Sequence, residues 1–333
     1  MRYAKRIFVS GATGYLGYEL VQEAVRRGFA VHVFVRDMAK AKKLYNHPAI
    51  QIFQGSFTDN ESILKAMKSC TQAYLVAGII STWLKDESQY YKIHVEGNRN
   101  LLLLAQQAGI KKAVVTSTAG VFGPSLNGKP IHEDSEQAHP YFNEYEKSKA
   151  AMADMIRQLH TPDLEICIVN PSRIYGPGKM GRGNPVNKLI DLYLRGKWHY
   201  IPGNGRKTGN YVFINDVING HFLSMELGVD KESYILGGTE NVNYNELFKL
   251  LGNLSGKHRK MIHTSIKIIK SIAYIQLFLV KYFGIRPLFT PDWVSRYYFD
   301  WPLDISKARS ILGYSPTPLT DGLIKTLQWL KTT

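Results

Sequence analysis

The 333-residue chain carries 42 Lys and Arg against 27 Asp and Glu, a net charge of +15, with 44% hydrophobic and 21% charged residues. This balance supports one large core or two modest ones, and excludes a largely disordered or repeat-built chain. Only two cysteines, Cys70 and Cys167, are present, both beside apolar runs, and the ten histidines show no metal-ligand spacing; a disulfide scaffold and a metal site are excluded, and the thiols read as buried groups of a reducing compartment.

In chain order, KRIFVSG reads as a buried strand and YLGYELVQEAVRRG as a helix ending at Gly28. Before them, the apolar run Ile7 to Val9 is too short for a signal peptide, so a cytoplasmic location is expected. AVHVFVRD and IQIFQGS are the second and third strands, NESILKAMKSC a helix capped by Asn60, and QAYLVAG the fourth strand. A long helix from about Glu87 to Ala108, the strand KKAVVTSTAG, a helix from Tyr141 to Leu159 and the strand LEICIVNPSRI complete the first half. Strands separated by helices predict right-handed βαβ units, hence an α/β chain with a Rossmann-type doubly wound parallel sheet. Beyond Pro171 the rhythm loosens into glycine- and proline-rich loops, and after Asn243 it turns mostly helical. The expected division is a dinucleotide-binding domain over 1–170 with a return segment at about 211–237, and a smaller, mostly helical C-terminal substrate lobe from 171–210 and 238–333.

GATGYLG sets Gly11, Gly14 and Gly17 between the first strand and the first helix. Glycines there let backbone approach a pyrophosphate, and the helix N-terminus supplies free N–H groups and positive dipole. An acid ending the second strand would hold the ribose of NAD. Here Arg36 stands first, with Asp37 after it and Lys40, Lys42 and Lys43 close behind. Arginine suits a 2′-phosphate, which favours NADP(H); the alternative is NAD(H) held by Asp37, with Arg36 on the adenine or in solvent.

Tyr-x-x-x-Lys occurs three times. The copies Tyr175–Lys179 and Tyr193–Lys197 contain glycine; only Tyr145–Lys149 lies in a helix-friendly run, EYEKSKAAMADMIRQL. Residues i and i+4 share a helix face, so an ammonium there would lower a phenol pKa from its usual ~10 towards a useful range.

Together these pieces resemble the extended short-chain dehydrogenase/reductase family of NAD-dependent epimerase/dehydratase type, over nearly the whole chain. GATGYLG is similar to its cofactor loop, TSTAGVFG to its TSS-x-x-x-YG segment, YEKSK to its Tyr-x-x-x-Lys, NPSRIYGPG to its strand-six motif and FINDV to its V-D-D-V element. YILGG, RPLFTPD and LGYSP resemble the dihydroflavonol-4-reductase-like and hopanoid-associated epimerase-like branches. The resemblance implies that Tyr145 is the general acid/base, that Lys149 lowers its pKa and binds the nicotinamide ribose, and that Thr118 holds the substrate oxygen. It implies a cofactor site of Gly11, Thr13, Gly14, Tyr15, Leu16, Gly17, Arg36, Ser56, Phe57, Ala77, Gly78, Thr116, Tyr145, Lys149, Pro171 and Ser172. Three positions depart from the family pattern. His94 replaces an asparagine and reads either as a proton relay or as a helix cap; Ser56 replaces an aspartate near the adenine. Gly209 and Asn210 stand where sugar-nucleotide enzymes carry a diphosphate-binding arginine, with Arg206 and Lys207 offset.

The implied function is interconversion of a ketone and a secondary alcohol. The alternatives are an NAD-dependent sugar-nucleotide epimerase or dehydratase, and a cofactor-binding regulator without turnover. Trp83, Tyr90, Tyr91, Met180 and Trp198 suit an apolar carbonyl substrate, or else plain lobe packing. The basic residues are scattered and no nucleic-acid motif accompanies them, so no nucleic-acid partner is expected. The stretch 265–283 is apolar with Lys267, Lys270 and Lys281 on one side, and reads as a core helix or as a weak membrane-surface contact. The family often forms homodimers, so the resemblance admits a homodimer, and the sequence itself leaves the oligomeric state open.

Overall fold

The computed structural model describes residues 5–137, 139–178 and 184–332. Lys179 and Met180, singled out above, lie outside the described residues. The first half runs β1 (Arg6–Ser10), α1 (Tyr15–Arg26), β2 (Ala30–Val35), α2 (Met38–Leu44), β3 (Ile50–Gln54), α3 (Asn60–Met67), β4 (Gln72–Leu75), α4 (Ser88–Tyr91), α5 (Asn98–Gln107), β5 (Lys112–Thr116), α6 (Glu144–Gln158) and β6 (Glu165–Pro171). A π-helical turn, Lys92–Gly97, joins α4 to α5, and a 3₁₀ turn, Ala119–Phe122, follows β5. The second half runs β7 (Arg173–Tyr175), α7 (Pro185–Leu194), β8 (Tyr200–Pro202), β9 (Thr208–Phe213), α8 (Ile214–Leu227), β10 (Ser233–Leu236), β11 (Asn241–Asn243), α9 (Tyr244–Ser255), β12 (Ile262–Thr264), α10 (Ile266–Phe283), α11 (Pro291–Ser295), α12 (Ser306–Leu312) and α13 (Leu319–Thr332).

Seven parallel strands form the main sheet in the order β10-β6-β5-β4-β1-β2-β3. Apart from the edge strand β3, its strands are buried on both faces and read as near-continuous apolar runs, as helices on both sides require. The strand order reverses between β1 and β4, the crevice where doubly wound sheets bind ligands at the strands' C-terminal ends. One core, including Val9, Val33 and Val169, lies on one side of the sheet and a second, including Phe8, Leu75 and Val115, on the other. A third core, around Tyr193, Phe248 and Leu323, belongs to the lobe. Leu303, Ile305 and Leu312, in the segment assigned to the lobe, pack back onto the sheet core.

Several boundaries depart from the sequence expectation. Asp59, not Asn60, caps α3, its carboxylate accepting from the Ser62 N–H at 3.1 Å. Asn60 is already helical and instead accepts from the Asn100 amide. The helix expected from Tyr141 starts at Glu144, because the Asn143 side chain takes the Glu146 N–H and ends the incoming loop. The sixth strand breaks at Ser172, and β7 leaves for a separate three-stranded sheet, β11-β9-β7. Residues 211–213 lie in β9 of that small sheet, so only α8 and β10 return to the main one.

Candidate active site

The glycine loop closes at the strand-order switch. Gly11 has φ of +73°, and a Cβ there would lie 2.6 Å from the backbone of Ala77, just past β4. A Cβ on Gly17 would collide with the Gly11 carbonyl, so the first turn of α1 packs directly on the loop. Gly14 opens α1 with no side-chain cap, leaving the helix N-terminus for an external acceptor. At the same edge of the sheet, the Ser117 and Ser172 hydroxyls and the Asn170 amide are buried without an internal partner among the described residues. An uncapped helix N-terminus above a side-chain-free loop, beside orphaned buried donors, fits a dinucleotide pyrophosphate and its ribose.

Lys149, on α6, is 4% exposed and donates to the Thr116 carbonyl at 2.7 Å. Burial lowers its pKa to about 7. A Cβ on Gly78 would lie 3.4 Å from the Lys149 Nζ and 3.2 Å from His94 Nε2, so all three meet above the end of β4. One turn earlier on α6, Tyr145 is half-buried and its phenol is hydrogen-bonded to Thr118. Burial pushes the phenol up to about 12, opposed by that hydrogen bond and by the Arg296 charge. Tyr145 therefore stays protonated across neutral pH, the form that donates to a carbonyl oxygen. The charge acting on it is that of Arg296, while Lys149 faces the Thr116 carbonyl.

His94 is resolved by its partners. The Ile79 N–H donates to Nε2 at 3.0 Å, so the proton lies on Nδ1, which donates to Ser148 Oγ at 2.8 Å. Ser148 in turn donates to the Tyr145 carbonyl. Burial, with the nearby Lys149 charge, lowers the His94 pKa to about 2. A neutral imidazole with both nitrogens engaged carries no proton across the site. It pins the backbone after β4 to the helix that bears Tyr145 and Lys149, and the π-helical turn delivers it there.

The other expected positions divide. Ala77 and Gly78 line the crevice, and Pro171 and Ser172 end β6 beside it. Thr13, in the loop, and Leu16, in the first turn of α1, are partly exposed. Tyr15 is turned away: its hydroxyl donates to the Gly176 carbonyl at 2.7 Å, tying α1 to the lobe. The Thr116 hydroxyl is occupied by His221, leaving only its carbonyl to the site. Arg36 is exposed after β2, while Asp37 caps α2 through the Lys40 N–H. Ser56 is exposed and bonded to Thr58; Phe57 stacks on Phe34 and packs against Gly97. Among the apolar candidates, Tyr90 faces Tyr145 at 6.2 Å and bonds the Ser81 carbonyl, with Trp83 nearby. Tyr91 points to solvent and Trp198 packs on the lobe core, so neither joins the site. Both cysteines are buried and free.

Residues missed in the sequence come from the segment 293–301. Trp293 lies 6.1 Å from the Tyr145 ring, and Arg296 pairs with the buried Glu146 while stacking on Trp301 at 4.0 Å. The available signal was a lone arginine among five aromatics in WVSRYYFDW.

Several known proteins are similar to the chain. A protein provisionally named dihydroflavonol 4-reductase from Synechocystis is 26% identical over 97% of this chain and 94% of its own. Sterol demethylase protein B of Methylococcus capsulatus is 26% identical over 97% of both chains, and a 3-beta-hydroxysteroid dehydrogenase of Mycolicibacterium neoaurum is 26% identical over 95% and 88%. The crystal structure of the UDP-glucose 4-epimerase of Thermotoga maritima superposes with a TM-score of 0.80 at 22% identity, covering 98% and 99% of the two chains. The model of the NAD dependent epimerase/dehydratase family matches residues 7–237. With the glycine loop, the parallel sheet and the Tyr145–Lys149 helix in place, the chain belongs to that family, an extended short-chain dehydrogenase/reductase enzyme of the NAD(P)-dependent type.

Proposed function

We propose that the protein is an NADP(H)-dependent oxidoreductase that interconverts a ketone and a secondary alcohol. The observation that carries this reading is the Tyr145 phenol hydrogen-bonded to Thr118, on the α6 face that also brings Lys149 to the glycine-loop crevice. Thr118 and Tyr145 together hold a carbonyl oxygen, and the Tyr145 proton passes to it as the carbon is reduced. The nicotinamide supplies or accepts the hydride when bound. Lys149, buried with an exchangeable charge near neutrality, holds the ribose hydroxyls and the backbone at Thr116. Tyr90 and Trp293 flank the phenol, which suits an apolar substrate face. The names of the similar sterol, hydroxysteroid and dihydroflavonol enzymes agree with a ring ketone or alcohol.

The preference for NADP(H) rests on Arg36, exposed at the end of β2, with Asp37 already engaged as a helix cap. The test is a panel of ketones and secondary alcohols assayed with NADPH and NADH side by side. Ketone-dependent NADPH oxidation supports the reading. Purified protein holding non-exchanging NAD with no ketone turnover argues for the epimerase alternative, and a tenfold preference for NADH removes the role given to Arg36.

A further inference from the structure

A helix packed on a core ordinarily turns its apolar stripe inward. α10 turns one outward. Ile268, Ile272, Ile275 and Tyr282 recur at helical spacing and so share a face, yet they are 44–60% exposed, while Ala273 on the opposite side is the one buried residue of the helix. The apolar surface continues past the end of the helix. Leu288 is 73% exposed, and its N–H donates to Gln276 of α10 at 2.7 Å.

This surface reaches the entrance of the cleft. The Leu288 carbonyl accepts from the Thr82 hydroxyl at 3.2 Å, and Arg286 donates to Ser81 Oγ at 2.7 Å, so the segment after α10 is tied to the segment after β4. Ile80, next to that junction, is half exposed. The Ser81 carbonyl accepts from the Tyr90 hydroxyl at 2.8 Å, and Tyr90 faces Tyr145. On the other side α11, which packs on α10, brings Trp293 to 6.1 Å from the same phenol. The exposed apolar rim and the two aromatic walls of the cleft are thus one connected structure.

Charge identifies what covers the rim. Residues 265–290 carry Lys267, Lys270, Lys281 and Arg286 and no acid, and the three lysines lie along one edge of the outward face. A second copy of the chain would set these cations against their own kind. An anionic bilayer accepts both features: the apolar side chains sink below the headgroups while the lysine stems reach back to them. Among the described residues no helix is long and apolar enough to cross a membrane, so the contact is along the surface. We infer that α10, with the adjoining Leu288 and Ile80, docks on an anionic lipid bilayer and turns the entrance of the Tyr145 cleft towards it. The inference holds whichever reaction Tyr145 serves.

The test has two arms, both independent of turnover. In the first, co-sedimentation is measured with vesicles of phosphatidylcholine alone and of equal parts phosphatidylcholine and phosphatidylglycerol. Pelleting at least tenfold greater with the anionic vesicles is expected, lost in Phe278→Ser/Phe283→Ser and reduced in Lys267→Gln/Lys270→Gln/Lys281→Gln, with NADPH binding unchanged in both variants. In the second, anionic vesicles with brominated acyl chains quench tryptophan fluorescence. The quenched fraction is expected to fall in Trp83→Phe, at the rim, and to persist in Trp198→Phe, on the lobe core. No pelleting, equal pelleting with both vesicles, or full pelleting of a folded Phe278→Ser/Phe283→Ser overturns the docking; should that variant not fold, Ile275→Glu serves in its place. A dimer that Phe278→Ser/Phe283→Ser converts to monomer also overturns it, because a second copy then covers the rim. Quenching that Trp83→Phe leaves untouched overturns the orientation of the cleft.

Discussion

At Tyr145 the environment works against ionisation, and the surrounding groups limit how far. Burial raises the phenol, while the Thr118 hydrogen bond and the Arg296 charge pull it back to about 12. Tyr145→Phe is therefore expected to lower ketone turnover by about 10²–10⁴-fold, with NADPH binding, followed by its fluorescence, unchanged. Burial lowers the Lys149 pKa to about 7, so it is charged below that pH and neutral above it. NADPH affinity is expected to weaken as pH rises through about 7, and Lys149→Met should flatten that slope in binding titrations from pH 6 to 8. The pairing of Tyr145 with Lys149 was legible because i,i+4 spacing fixes a shared face within one helix. The role of Arg296 was not, because it reaches Tyr145 from a segment about 150 residues away and no local pattern encodes that approach.

Among the elements, α1 and α6 carry the site, and each depends on how it begins. α1 begins against bare backbone at Gly11, so Gly17→Ala forces the loop and helix apart; NADPH affinity is expected to fall at least tenfold, about 1.4 kcal/mol. α6 begins at the Asn143 cap, whose side chain takes the Glu146 N–H at 2.9 Å. Asn143→Ala is expected to cost about 1 kcal/mol in urea denaturation, with Asn143→Ser restoring most of it. The element types of the first half followed from periodicity, since apolar strands and amphipathic helices differ in it. The caps were less legible: Asp59 and Asn60 are equally good candidates on paper, and only the neighbouring Asn100 amide, which takes up Asn60, separates them.

Across the whole molecule, buried groups hold the sheet to its helices and the C-terminal segment to the cleft. Arg296 and Glu146 form a largely buried pair, so Arg296→Met leaves a carboxylate without its partner and is expected to cost about 3–5 kcal/mol; adding Glu146→Gln should recover part of it. His94 and His221 are buried neutral, with pKa values lowered to about 2 and about 4. Unfolded histidine takes a proton near ~6.5, so below that pH the unfolded chain binds protons that the folded one refuses. Their stability contribution is complete above pH ~6.5 and falls with pH by about 1.4 kcal/mol per unit for each histidine, down to about pH 4 for His221. Denaturation at pH 7 and pH 5 checks the loss, which His221→Asn should reduce. The sequence by itself determined the parallel α/β sheet, the glycine loop and the Tyr145–Lys149 face, because each is written within one strand-turn-helix unit. The small sheet that takes β7 and β9, the neutral state of His94 and the arrival of Arg296 beside the phenol were decided by tertiary structure. They depend on contacts between residues far apart in the chain, whose burial sets which charges are neutralised and which stay exposed to a ligand.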